Sequence, residues 1–539
     1  MRWERAVELA AVPAGTTKLV TVEVGARRAA TKLLVVHRDD GDLSVIDGRC
    51  PHEGYPLSDG YVTDCVLTCA WHNWKFDLRT GDNVLGGEGV TRWPARVVDG
   101  WVEVDATGPS VDAEIAGRFA SLSTALEEGR LGQALRDTLR LLVAEVPPGR
   151  IAAHVARHDA LYARWGTTHT LPVAADCARL AGGLEPWDAI ERLAPMLDMA
   201  VDGTRRLPLR AAPDEAGIEA ASAALADGDG GALLCAAVEA EDALGAQALV
   251  LAAGRRGIPM ARVEAWLLQA VALHFVDFGH APIYLQKLRE LRLLLDDADE
   301  GVLVEIAGGL AVSLAYGTRE DTLPYMRRWF AGDLPTGEGD LLAALEGGKR
   351  GEVLGALGGA LAGGTDPVEL AEALILGGAL RAERFDPAVA DDHEVSEDWL
   401  SATHRFTASV AIAELLDHVP CSAADAAALL RQGAAFVSLG HATDGAPPAR
   451  EPVTADWAAP LLAEVLDDRF VRPIRLAHGV KTLVAAQDVM ARMGARGEPA
   501  VHAVRRFFAV PSRQRRLRNQ IHDAVRWLRD GKPPRRLTQ

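Results

Sequence analysis

The sequence predicts a multidomain chain, with a small all-β domain followed by a large all-α domain of repeated helical hairpins. Three observations carry this reading. Up to about residue 105, short β-branched runs are separated by glycine-containing turns. Near Thr107-Gly108-Pro109 that pattern stops, and Ala- and Leu-rich segments of helical period follow, broken repeatedly by Pro or Gly. Within those helices one glycine-stopped pattern recurs three times. The domains are drawn at 1–108 and 109–539.

In the first domain, KLVTVEV (18–24), KLLVVHR (32–38), LSVID (43–47), KFDL (75–78) and WVEVD (101–105) are the predicted strands. Turn signals stand at Asp40-Gly41, Thr80-Gly81 and Asp99-Gly100. Between the strands lie Cys50-Pro-His52 and, sixteen residues on, Cys69-Ala-Trp-His72. Each segment offers one Cys and one His, so a shared site requires both loops at one tip. Tetrahedral zinc suits such a donor set, and so does an iron–sulfur cluster with different ligand pairs on its two irons.

The flanking residues separate the two. CPHEGYPLSDGYVTDCVLTCAWHNWKFDLRTGD resembles Rieske ferredoxins through both ligand loops and the strands beyond them. The resemblance implies a [2Fe–2S] cluster, with Cys50 and Cys69 as thiolates on one iron and His52 and His72 as neutral imidazoles on the other. It also implies that Trp71, Trp74 and Phe76 shield the cluster from water. Respiratory-type Rieske proteins carry an extra cysteine in each loop. Here Cys65 only approaches the second loop, so the domain resembles the ferredoxin and ring-hydroxylating oxygenase type, with a potential toward the lower end of the Rieske range. Glu53 departs from the basic residue that oxygenase-type domains place after the histidine.

Composition bounds the remainder. A chain of 539 residues has ample core for two or more domains. A net charge of −18 argues against nucleic acid as the partner. Cys65, Cys177, Cys235 and Cys421 are scattered, as expected of buried thiols in a reducing compartment. MRWERAVELAAVP lacks a signal-peptide core, and the apolar stretch Val302 to Gly317 is interrupted by Glu305 and too short for a bilayer. No transmembrane segment and a cytoplasmic location are the expectations. From Arg505 onward eleven Lys and Arg face only Asp523 and Asp530. A basic amphipathic helix is expected over about 505–536, suited to this protein's own acidic body or to an acidic partner or membrane surface.

In the helical domain, Ala125-Leu126-Glu127-Glu128-Gly129 returns as Ala224-Leu225-Ala226-Asp227-Gly228 and as Ala344-Leu345-Glu346-Gly347-Gly348. Helix, glycine stop and second helix describe a hairpin that must stack on neighbours to bury its apolar face. Each copy is followed by a histidine before an apolar helix: His169, His280 and His404, with His478 as a fourth candidate. Pro172 and Pro282 suit a first helical turn, placing His169 and His280 near helix N-termini, where the dipole favours neutral imidazole. Four neutral imidazoles facing one cavity could hold a metal, iron being the expected one, or orient a substrate. The same positions also suit simple capping or a buried hydrogen bond. His154 with His158, His274-x-x-Asp277-x-x-His280 and Glu414 with His418 offer further donor spacings, the second with the residue types of a two-histidine, one-carboxylate site.

No dinucleotide fingerprint, haem-attachment motif or Gly-x-Ser-x-Gly is present, and the signature of ring-hydroxylating catalytic domains, Asp-x-x-His followed four or five residues later by His, is absent. FGHAPIYLQK and AHGVKTLVAAQ resemble helical proteins of the questin-oxidase type, which leans toward oxygenation and assigns no residue a role. The expectation is an oxidoreductase or oxygenase. An external reductase or ferredoxin supplies electrons, the cluster passes them to the helical domain, and a small organic substrate is oxidised with O2. The alternative is a non-enzymatic electron carrier or redox sensor whose helical part binds a protein.

Overall fold

The computed structural model describes residues 1–84, 87–296, 299–386, 388, 399–439, 444–465, 472–509, 521, 524–526 and 528–532. Residues 1–125 with 130–145 form one compact unit, and 126–129 with 146–539 form another.

Ten strands make three antiparallel sheets in the first unit. The order β1 (Trp3–Glu8), β10 (Trp101–Asp105), β9 (Ala95–Val98) makes one. The order β2 (Thr16–Val24), β3 (Ala29–His37), β4 (Leu43–Asp47), β8 (Arg92–Trp93) makes the second. The third joins β5 (Tyr61–Thr63), β6 (Val66–Thr68) and β7 (Lys75–Asp77). All five predicted strands are present. The tight β9–β10 connection pairs Val98 with Trp101, and Asp99 and Gly100 both take positive φ (49° and 79°). That is the primed turn an Asp-Gly pair favours.

β3 explains why alternation was only partial. Leu33 and Val35 face one core with Val22, Val45, Val102 and Val104, while Leu34 and Val36 face a second with Ile46, Leu57, Leu67 and Phe76. A strand buried on both faces reads as a continuous apolar run. The second core also contains Cys50 and Cys69.

Beyond the strands the described chain is helical, with 19 α-helices. Each predicted glycine stop separates two of them: Gly129 lies between Val111–Glu128 and Leu131–Val143, Gly228 between Glu215–Asp227 and Gly230–Glu239, and Gly348 between Leu341–Gly347 and Arg350–Ala362. Gly129 adopts φ +72°, and the Asp229 side chain accepts from the N–H groups of Gly231 and Ala232 to start the next helix. The helix Glu215–Asp227 packs chiefly on Ala243–Arg255, and Gly230–Glu239 on Met260–Leu273, so successive helices join a stack rather than closing only on each other. Among the described residues no helix is long and apolar enough to cross a membrane. Of the basic segment, 505–509 lie in the helix Glu498–Ala509 and 521, 524–526 and 528–532 are described; the rest, and with it the expected continuous helix, lies outside the described residues.

Candidate redox and metal centres

Two loops of matching build hold the cysteines and histidines of the first unit. The Cys50 N–H donates to the Tyr55 carbonyl and the Cys69 N–H to the Trp74 carbonyl, both at 2.8 Å. Positive φ at Gly54 closes one loop, and at His72 and Asn73 the other. Cys50 and Cys69 are buried side by side; burial, with the Cys69 thiol adding to it, pushes the Cys50 thiol up to about 11. The His52 and His72 rings meet edge-on, 4.7 Å between centroids. His52 stacks on Trp74 and its buried Nδ1 has no hydrogen-bond partner, while the His72 side chain is 43% exposed. Two soft sulfur donors inside and two imidazoles toward the surface fit the mixed-ligand cluster that the spacing suggests. Phe76 is buried and Trp74 half-buried, but Trp71 is 50% exposed. It stacks on Tyr55 and donates from Nε1 to the Glu53 carboxylate at 3.1 Å, so it covers the outer surface rather than the interior. All six cysteines are free; of the scattered four, only Cys177 is buried, Cys65 and Cys235 are half-buried and Cys421 is exposed.

In the second unit His169, His280, His404 and His478 converge. Ring centroids lie 4.6 Å apart for His169–His280, 4.3 Å for His280–His404, 4.6 Å for His404–His478 and 5.2 Å for His169–His478. His169, His404 and His478 each offer a nitrogen within 4.8 Å of the other two, and His280 Nε2 is 3.1 Å from His169 Nε2. Ligands about 2.1 Å from a tetrahedral metal stand roughly 3.4 Å apart, so a small inward shift closes the shell.

The helices deliver these rings in two ways. His169 caps Thr170–Ala181 and His280 opens His280–Leu293, as Pro172 and Pro282 imply. Both follow glycines that nothing larger can replace. Gly166 (φ +95°) would place a Cβ 2.3 Å from the Gly309 carbonyl, and Gly279 (φ +80°) 2.9 Å from Ala408 Cβ. Buried Asp159 pins the first loop by accepting from the Thr167 and Thr168 hydroxyls and the Thr168 N–H. His404 and His478 differ from expectation: they lie inside Trp399–His418 and Pro473–Met493, not at helix starts. There burial, not the helix dipole, keeps imidazole neutral.

That neutrality is general. Burial pushes His280 down to about 3 and His169, His404 and His478 well below their ordinary value, with the nearby Lys481 charge acting the same way. Thr403 sets one tautomer. Its hydroxyl donates to the Leu400 carbonyl and so accepts from His478 Nδ1–H at 3.0 Å, leaving Nε2 buried, unpartnered and free as a lone pair. His404 Nε2 is likewise buried without a partner. Outer partners of this kind orient a metal-binding histidine. Thr403→Val is expected to weaken metal binding by about 10–100-fold, with Thr403→Ser restoring most of it, as read by competition with a chelator.

The same shifts give a pH dependence. Unfolded imidazoles titrate near 6.5 and these far lower, so the unfolded chain binds more protons between the two values. Stability is complete above pH 6.5 and falls as pH drops toward the folded values, by about 1.4 kcal/mol per pH unit for each such histidine. Denaturant unfolding of the metal-free chain at pH 7 and pH 5 is expected to show this loss; equal stabilities contradict it.

Among the described residues the other spacings gather no trio of metal donors. His274 lies between Asp321 (Nδ1, 2.8 Å) and Glu239 (Nε2, 2.9 Å). Asp277 accepts from the Thr318 N–H, and positive φ at Asp277, Phe278 and Gly279 turns the chain before His280. His158 Nε2 meets Thr204 Oγ1, while Glu414 pairs with Arg492 and His418. Tyr284 and Lys481 went unnoticed in the sequence. Tyr284 is buried 5.4 Å from the His280 ring, burial raising its hydroxyl well above 10. Lys481 lies three residues after His478, a helical spacing that could have flagged it.

Comparison with known proteins concerns the first unit. The family model for the Rieske [2Fe–2S] domain matches residues 2–89. The chain is 38% identical over 85 residues to the anthranilate 1,2-dioxygenase ferredoxin subunit of Burkholderia cepacia, covering 15% of this chain and 79% of that protein. It is 32% identical over 83 residues to the 3-chlorobenzoate-3,4-dioxygenase oxygenase subunit of Comamonas testosteroni, covering 14% of this chain and 19% of that subunit. Among solved structures, the Sphingomonas yanoikuyae B1 ferredoxin is matched at 26% identity and a TM-score of 0.17, covering 20% of this chain and all of that one.

Proposed function

Because the chain belongs, through residues 2–89, to the Rieske [2Fe–2S] domain family, we propose that it is a Rieske-dependent oxidoreductase. In this reading its four-histidine centre binds a transition metal, iron foremost, and oxidises a small organic molecule with O2. The Rieske domain binds a [2Fe–2S] cluster and serves electron transfer; Cys50, Cys69, His52 and His72 are its proposed ligands. When bound, the cluster supplies electrons singly. The chain's part is to hold two buried sulfurs and two outward imidazoles for it, and to keep a second donor set neutral elsewhere.

One observation carries the proposal: four imidazoles from four helices meet in one place, two with buried, unpartnered Nε2 atoms. Leaving polar nitrogens buried without partners costs about 1–3 kcal/mol each, a cost a metal removes. Histidine nitrogens suit iron, copper, nickel and zinc alike, and the Rieske partner favours a redox-active choice. Tyr284 remains a neutral hydroxyl beside His280 and His169, available to donate to a bound ligand. Covalent fusion of donor and acceptor raises their effective concentration for one another. An external reductase or ferredoxin completes the scheme, as the ferredoxin and oxygenase names of the relatives suggest.

The test is reoxidation. With dithionite-reduced full chain mixed with O2, cluster reoxidation is expected to be at least tenfold slower in His404→Ala than in the unaltered protein. Equal rates favour an electron carrier or sensor whose helical part is not the oxidising site.

A further inference from the structure

We propose that the four-histidine centre takes an anionic ligand, the ionised carboxylate or phenolate of a small substrate, with Lys481 as its counter-cation. The inference rests on reading that centre as a metal site.

Charge balance carries the argument. A two-histidine, one-carboxylate site brings its own negative charge. Here the grouped donors are histidines, and among the described residues no carboxylate oxygen joins His169, His404 and His478 within the 4.8 Å that gathers them. A dication held only by neutral imidazoles in a buried place is uncompensated, which is costly.

The nearby acids lie in ion pairs with other cations, although both Asp176 oxygens and Asp488 Oδ2 make no hydrogen bond among the described residues. Asp176, fully buried, lies 2.8 Å from Lys287 Nζ, and that same nitrogen is 2.8 Å from Glu290. Asp488 pairs with Arg179. Lys287 and Arg179 thus hold all three carboxylates in ion pairs, and none of the three joins the histidine group. Arg475, three residues before His478, adds positive potential at that ring.

Lys481 is the group left wanting. It is 2% exposed, and its Nζ is buried with no hydrogen-bond partner among the described residues, although an ammonium has three N–H donors to place. It lies one helical turn beyond His478, and its charge acts on all four imidazoles. Burial pulls it down to about 7 against the opposing pull of Asp176. An anion at the metal answers both deficits, neutralising the ion and giving the ammonium a charged acceptor. An amide answers neither, and water does so only by ionising to hydroxide. His169 and His280 keep part of their surface accessible, so a small ligand can reach them.

The experiment uses the full chain loaded with Co(II) at the helical centre and read by the EPR of high-spin cobalt, which the diamagnetic oxidised cluster does not obscure. Acetate and acetamide, equal in shape and different in charge, are the probes. Acetate is expected to bind at least tenfold more tightly than acetamide. Lys481→Met should weaken acetate at least tenfold and leave acetamide and cobalt content unchanged, and Lys481→Arg should restore acetate binding to within about threefold. If cobalt binds but the two probes bind equally, or if Lys481→Met leaves acetate affinity unchanged, the anion inference is overturned while the metal site stands. If His404→Ala binds cobalt at this centre as the unaltered chain does, or the chain binds none there, the metal reading itself is overturned.

Discussion

Cys69→Ala and His52→Ala are each expected to abolish the EPR signal of a reduced mixed-ligand [2Fe–2S] centre in the full chain. The expected effect is complete. The paired Cys50 and Cys69 sulfurs share one buried cluster with Phe76 and Leu67, and both thiolates are needed on the same iron. The two imidazoles are 4.7 Å apart and differ in surroundings, one stacked on Trp74 and the other exposed. Glu53 lies within 4.8 Å of both imidazoles and is the control. Glu53→Gln removes the charge and keeps the Trp71 hydrogen bond possible, so the signal is expected to survive. A signal that survives Cys69→Ala contradicts the assignment.

In the helical unit, His169→Ala, His404→Ala and His478→Ala are each expected to eliminate second-metal binding and turnover while leaving the Rieske signal intact. The loss should exceed the roughly 10–100-fold typical of an outer-shell change such as Thr403→Val. His280→Ala is expected to do less to binding, since His280 Nε2 contacts His169 rather than completing the trio. A purely structural role predicts instead about 0.5–2 kcal/mol of lost stability with metal content retained. Metal analysis alongside denaturant unfolding separates the two outcomes.

Much of this was legible in the sequence because it is local. The five predicted strands, the glycine stops and the Cys/His loops each depend on a few adjacent residues. β1, β5, β6, β8 and β9 were not legible: β5, β6 and β8 are two or three residues long, and β1 and β9 are held by pairing with β10 rather than marked by an alternating pattern. His169 and His280 could be placed by the prolines that follow them. His404 and His478 were found as candidates but expected at helix starts, whereas each lies five residues into a described helix, Trp399–His418 and Pro473–Met493. Convergence itself was only a hope raised by repetition. Bringing Thr403 against His478 and Lys481 near all four rings depends on the packing of helices whose contacting residues lie 75 or more positions apart, which no local pattern encodes.

The most direct test of the central claim, that this chain joins a Rieske cluster to a second metal centre, is metal and acid-labile sulfide analysis of anaerobically purified full-length protein. About two labile sulfides and about three metal ions per chain are expected, two of the ions being iron of the cluster. His404→Ala should remove the third ion alone. Two irons with two sulfides and no further metal would contradict the second centre, and zinc without labile sulfide would contradict the first.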